Sequence, residues 1–144
     1  MTNEKNITLF LVDDDALFLK SLEIEFEQHF KITIKKYATG EECLAHLSQN
    51  PDMIVLDYYL NSIDQNAMNG LETLNKIKAL NQKIPVIMLS SQDSIDVAVN
   101  CMKHHAYDYI VKSETAFFRL QKAITSYFNH QKLEKALNWY MEKM

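Results

Sequence analysis

Five short apolar runs, most of them rich in β-branched residues, recur along the chain, and each is followed by a stretch with helical spacing. The runs are Ile7–Val12, Lys31–Lys36, Met53–Leu56, Val86–Leu89 and Tyr107–Val111. The helical stretches follow at Ala16–His29, Gly40–Gln49, Leu71–Leu80, Ile95–Lys103 and from Thr115 onward. Such alternation predicts a parallel sheet covered by helices on both faces, a doubly wound α/β fold. With only two prolines and two glycines, and no repeat or linker-like tract, the connections must be short or built from Asn, Asp and Ser. Thr39-Gly40-Glu41-Glu42 reads as a capping box opening the second helix. The 144 residues suit one domain with a real core.

Several function classes fall away at this point. The net charge is −4 and no dense Lys/Arg cluster occurs, which argues against direct nucleic-acid binding. Cys43 and Cys101 lie far apart in apolar, helix-like surroundings, as reduced core thiols do. Ile7–Val12 is too short for a membrane span or a signal peptide and runs straight into three acids, so a cytoplasmic, membrane-free protein is expected.

In open parallel sheets, ligands sit beyond the carboxyl ends of the strands. Here the first strand ends in Asp13-Asp14-Asp15, the third in Asp57, the fourth in Ser90-Ser91 and the fifth in Lys112. Singly these residues are ordinary: an acidic turn, a helix cap, a surface lysine. Together they put carboxylates, a hydroxyl and an ammonium on one rim. Clustered carboxylates repel and need a cation to stay ionised, and hard oxygen ligands favour Mg²⁺. An Asp carboxylate can serve as a nucleophile and form an aspartyl phosphate. A metal, a lysine and a hydroxyl can stabilise the charge of a transferring phosphoryl group. The parts suit phosphoryl transfer.

At these residues the sequence resembles the response-regulator receiver family of two-component signalling. The matching pieces are Leu-Phe-Leu-Val-Asp13-Asp14-Asp15, Ile-Val-Leu-Asp57, Val-Ile-Met-Leu-Ser90-Ser91 and Tyr-Asp-Tyr109-Ile-Val-Lys112, spread over roughly residues 7–128. The resemblance implies a flavodoxin-like (βα)5 fold with strand order 2-1-3-4-5. It also implies Asp57 as phosphoacceptor, Asp14 as direct Mg²⁺ ligand and Asp13 as a ligand through water. The Tyr59 backbone carbonyl would be a further ligand. Ser90 and Lys112 would contact phosphoryl oxygens, and Tyr109 would be the aromatic switch on the fifth strand. Asp15 has no ligand role in that pattern and is expected to cap the first helix. The implied partners are a sensor histidine kinase or a histidine phosphotransfer protein, and a downstream protein target.

Three departures from the family pattern stand out. The family's glycine, about eight residues after the phosphoacceptor, is here Gly70, thirteen after Asp57, so the loop Asn61–Ala67 makes this connection longer by about five residues. It flanks the site, where it could screen the phosphoryl group or meet the kinase, or be a tolerated insertion. Lys112 is followed by Ser113 instead of the family's cis-proline, leaving two options: a costly cis bond, or a lysine presented from a different backbone. Ser90 replaces the more usual threonine. Tyr59 and Gln92 occupy the family's two variable positions, and a bulky Tyr59 beside a neutral Gln92 implies slow to moderate loss of phosphate.

From Thr115 the chain reads as helix to its end. Phe117, Leu120, Ile124, Tyr127 and Phe128 share one face suited to the sheet. Leu133, Leu137, Tyr140 and Met144 form a second stripe pointing nearly the opposite way. Residues 1–128 are therefore read as the receiver domain and 129–144 as a C-terminal helical extension, with a homodimer contact as the preferred use of the second stripe. The extension is too short for a DNA-binding or enzymatic output domain, which makes a stand-alone receiver the expectation. Two rivals remain: a haloacid-dehalogenase-type phosphatase built on Asp13-Asp14-Asp15, which leaves Asp57 idle, and a pseudo-receiver that uses the fold without phosphorylation.

Overall fold

The computed structural model describes residues 6–144, so Met1–Lys5 of the first domain boundary lie outside the described residues. Five strands, β1 (Ile7–Val12), β2 (Ile32–Tyr37), β3 (Met53–Asp57), β4 (Val86–Ser90) and β5 (Asp108–Val111), form one parallel sheet in the order β2-β1-β3-β4-β5. The helices are α1 (Ala16–His29), α2 (Gly40–Ala45), α3 (Gly70–Leu80), α4 (Ile95–Lys103) and α5 (Ala116–Lys143). This is the expected doubly wound, flavodoxin-like topology. The order reverses at β1 and β3, whose carboxyl ends therefore open onto a crevice.

Side-chain alternation along the strands divides the core in two. Leu9, Leu11, Met53, Val55, Ile87 and Leu89 face α1 and α5, where they meet Leu19, Leu22, Phe26, Leu120 and Ile124. Phe10, Val12, Ile54, Leu56, Val86 and Met88 face the other way, against Cys43, Leu74, Ile77 and Cys101 from α2, α3 and α4. The central strands are buried on both faces, which is why they read as unbroken apolar runs rather than alternating ones. Both cysteines are free and buried, and burial pushes the Cys43 thiol up to about 12, an inert core thiol.

Local chemistry sets the helix starts. Asp15 caps α1, its carboxylate accepting from the N–H groups of Leu17 and Phe18. Asn69 caps α3 by accepting from Glu72, and Ser94 caps α4 by accepting from Val97. At α2 the Thr39 hydroxyl accepts from Glu42 N–H as the capping box requires, but the Glu42 carboxylate reaches back to Ala38 N–H rather than to Thr39. The predicted second helix is also shorter than Gly40–Gln49: after Ala45 the chain tightens into a single 3₁₀ turn over Leu47–Gln49 and leaves through Asn50 at φ 56°. Asn tolerates that left-handed turn, which returns the chain to β3.

The last helix runs without a break over 28 residues, about 42 Å. Ala116, Leu120, Ala123 and Ile124 are buried, with Phe117, Tyr127 and Phe128 packed beside them. Its second half lies off the core: Leu133, Leu137, Tyr140 and Met144 are 60% exposed or more. Among the described residues no helix is long and apolar enough to cross a membrane.

Candidate functional site

β1 and β3 end side by side, and their final residues deliver Asp13 and Asp57 to one point, both nearly sealed from solvent. Oxygen atoms of Asp13, Asp14 and Asp57 all lie within 4.8 Å of one another. From β5, Lys112 extends its ammonium to 2.7 Å from Asp13 Oδ2 and 3.5 Å from Asp57 Oδ2. The Phe18 ring of α1 walls this ammonium from one side, 4.6 Å from ring centroid to nitrogen. The rim thus brings Asp13, Asp14, Asp57 and Lys112 together from three separate strand ends.

The electrostatics follow from burial. Asp57 is pushed up to about 7, first by its removal from water and then by the charge of Asp13, with Lys112 and the Tyr59 N–H pulling the other way. Lys112 sits above its ordinary value: burial alone would lower it, but the Asp13 and Asp57 carboxylates outweigh that. Asp13 Oδ2 is buried and takes no hydrogen bond of regular geometry, so the nearby Lys112 ammonium meets it as an ion pair. Three clustered carboxylates against one ammonium make a donor set short of positive charge. It fits a hard divalent cation.

The surrounding backbone fixes the carboxylates. Asp57 Oδ1 accepts from Tyr59 N–H at 3.3 Å, and Asp13 Oδ1 accepts from Asp15 N–H at 2.9 Å. Gly70 opens α3 directly against this turn, its N–H donating to the Tyr58 carbonyl at 2.9 Å. A Cβ on Gly70 would lie 2.3 Å from the Asp57 carbonyl oxygen and 2.6 Å from Tyr58 Cα. Glycine is required there because one backbone lies against another.

Ser90 is fully buried at the end of β4, and its hydroxyl accepts from Gln92 N–H at 3.1 Å. Tyr109 is half-buried against the α4 side of the core, and its hydroxyl donates to the Gln92 carbonyl at 2.6 Å. Burial raises the Tyr109 phenol, with the Ser90 hydroxyl acting in the opposite direction. Ser90, Gln92 and Tyr109 thus form one connected patch. The Lys112–Ser113 bond is trans, as are the other peptide bonds among the described residues, so the lysine reaches the carboxylates without the cis geometry considered for it.

Sequence reasoning missed two contributors. Phe18 looked like one more apolar residue of α1. Ser62, in the long β3–α3 loop, donates both its backbone N–H (3.2 Å) and its hydroxyl to Asp14 Oδ2. The extra loop length was the only available signal for it.

An open parallel α/β sheet with an acid cluster and a lysine at its carboxyl rim defines the class: a flavodoxin-like domain with an acidic cluster that could hold a metal ion. Within that class the chain belongs to the response regulator receiver domain family, whose family model matches residues 9–125. It is 28% identical over 129 residues to the transcriptional regulatory protein MalR of Bacillus subtilis, an alignment covering 88% of this chain and 52% of MalR. Over 116 residues it is 32% identical to the C4-dicarboxylate transport transcriptional regulatory protein DctD of Rhizobium meliloti, covering 81% of this chain and 24% of DctD. The chain therefore spans about half or less of the length of these curated relatives. Among solved structures, a CheY-like response regulator receiver domain protein from Methanospirillum hungatei superposes with a TM-score of 0.76 at 25% identity, over 90% of this chain and 99% of that one. The signal receiver domain of a Luxo repressor protein from Vibrio parahaemolyticus superposes with a TM-score of 0.79 at 22% identity, over 92% and 98%, a likeness of fold.

Proposed function

We propose that Asp57 accepts a phosphoryl group from a sensor histidine kinase or a histidine phosphotransfer protein, and that the domain changes its partner-binding surface in response. The observation that carries this reading is the convergence of Asp13, Asp14 and Asp57 within 4.8 Å, with Lys112 reaching two of them. Asp14, Asp57 and the Tyr59 carbonyl would hold Mg²⁺ directly, with Asp13 acting through water. When bound, the cation supplies positive charge that keeps Asp57 ionised and offsets charge on the incoming phosphate.

Asp57 does the chemistry. Its carboxylate oxygen forms the new bond to phosphorus as the bond to the donor imidazole nitrogen breaks, and the imidazole leaves with the bonding pair and takes up a proton. Lys112 offers its ammonium to the phosphoryl oxygens, and the Ser90 hydroxyl donates a hydrogen bond to another. Once Ser90 turns to the phosphate, it leaves Gln92 N–H, and the patch running to Tyr109 rearranges. Tyr109 is thus the readout, a two-state element biased by new charge at one end. The changed surface lies on α4, β5 and the start of α5, where a downstream protein target would dock. A net charge of −4 without a basic cluster favours protein over nucleic acid as the partner of these residues.

Residues 129–144 are a helical extension to the receiver unit of 1–128. The 4-3-4 spacing of Leu133, Leu137, Tyr140 and Met144 is the heptad spacing of a coiled coil, and its exposure supports a second copy of this chain as the occupant. Incubation with acetyl phosphate and Mg²⁺ tests the central reading: the wild type gains one phosphoryl group by intact mass, and Asp57→Asn gains none. An unmodified wild type would favour the pseudo-receiver.

A further inference from the structure

The β3–α3 loop is longer than the family pattern requires, yet it is tied down at both ends. Near its start Ser62 binds Asp14 through two donors on a single oxygen, Oδ2. Near its end Met68 N–H is shared by both carboxylate oxygens of Glu41 in the first turn of α2, at 3.2 Å each. Between them, Asp64 closes a turn by accepting from Asn66 N–H through its side chain and from Ala67 N–H through its carbonyl, both at 3.0 Å. The extra residues thus form an organised strap between Asp14 and the start of α2.

Three carboxylates this close repel one another, and any donor that neutralises one of them stabilises the cation-free protein. A carboxylate oxygen has about two lone-pair sites, and at Asp14 Oδ2 both are engaged by Ser62. A ligand that must displace an existing contact binds more weakly by the stability of that contact.

We propose that Ser62 sets the cation affinity of this site: its donors occupy Asp14 when no ion does, and the ion displaces them, releasing the Ser62 end of the loop. The proposal rests on the cation reading given above and adds to it a residue and a direction. Ser62 is a positioning residue, acting through Asp14, and the strap becomes a surface whose state reports occupancy.

The test is a calorimetric Mg²⁺ titration of the full chain as wild type, Ser62→Ala, Ser62→Thr and Asp14→Asn. Ser62→Ala is expected to bind about three- to ten-fold more tightly, the scale of losing one typical hydrogen bond at an exposed position. Ser62→Thr keeps the hydroxyl and should match the wild type. Ser62→Ala should melt below the wild type in EDTA, and the gap should close in saturating Mg²⁺. Hydrogen exchange at the Ser62 amide of the wild type should quicken when Mg²⁺ is added. Unchanged or weaker binding by Ser62→Ala, with wild type still binding and Asp14→Asn not, would overturn the role of Ser62 alone. A wild type that takes up no Mg²⁺ would overturn the cation reading and this inference together.

Discussion

The Lys112 ammonium lies closer to Asp13 than to Asp57, 2.7 Å against 3.5 Å. The lysine therefore neutralises chiefly the carboxylate that has no other good partner on that oxygen. A positive charge arriving among the three acids would relieve Asp13 and leave the lysine free to meet an anion bonded to Asp57. Lys112 and the cation are in this sense sequential partners of the same acids.

That arrangement makes Lys112 a stabiliser of the transferring group more than of the cation. Lys112→Met should therefore slow phosphorylation by acetyl phosphate by about 10²- to 10³-fold, the usual cost of losing one preorganised charge-stabilising donor. Mg²⁺ binding should survive the substitution. Rates from a time course of intact masses, with a parallel Mg²⁺ titration, check both statements.

The raised Asp57 gives a definite pH dependence. Its carboxyl ordinarily titrates at 3.8 but in the folded domain is pushed up to about 7 by burial first and by Asp13 second. Between about pH 4 and about pH 7 the folded state holds a proton that the unfolded state has released, so unfolding releases it and stability falls as pH rises through that window. Thermal melts in EDTA should show the fall, and Asp57→Asn should flatten it. Mg²⁺ should oppose it by stabilising the ionised form, and its affinity should weaken as pH drops below about 7.

Gly70 makes an equally specific prediction. Gly70→Ala places a methyl group against backbone atoms of Asp57 and Tyr58, which cannot swing aside as a side chain would. The variant should lose about 1–3 kcal/mol of stability, as overpacking does, measured by urea unfolding. It should also bind Mg²⁺ more weakly, because the displaced segment carries both Asp57 and the Tyr59 carbonyl.

Much of the fold and of the acid rim is legible in the sequence. The parallel sheet followed from the run-and-helix rhythm, because strands buried on both faces must be apolar throughout, and Met53–Leu56 and Val86–Leu89 are. The positions of Asp13, Asp57 and Lys112 followed because strand ends are marked by the switch from apolar to charged. The helix boundary after Ala45 was not legible: Leu44 and Leu47 continue a helical rhythm, and the 3₁₀ turn that replaces it depends on Asn50 adopting a positive φ. Nor was the role of Ser62. A polar loop residue carries no periodicity, and its partner Asp14 lies 48 positions away. The trans bond after Lys112 was likewise a matter of tertiary geometry, since the sequence shows only that proline is missing.

The exposed stripe on the second half of α5 should bury itself against a second copy. Removing residues 130–144 should convert a dimer to a monomer by light scattering while leaving the phosphoryl-accepting site intact. The same mass before and after truncation would remove this contact from the account.

Asp57, and no other acid of the rim, is expected to become the phosphorylated residue. Reduction of the acyl phosphate with borohydride after reaction with acetyl phosphate and Mg²⁺, followed by peptide sequencing in the mass spectrometer, locates it. The account predicts a homoserine in place of Asp57 and unmodified Asp13, Asp14 and Asp15. A reduced residue at Asp13, with Asp57 untouched, would contradict it and point to a phosphatase-type nucleophile on the first strand.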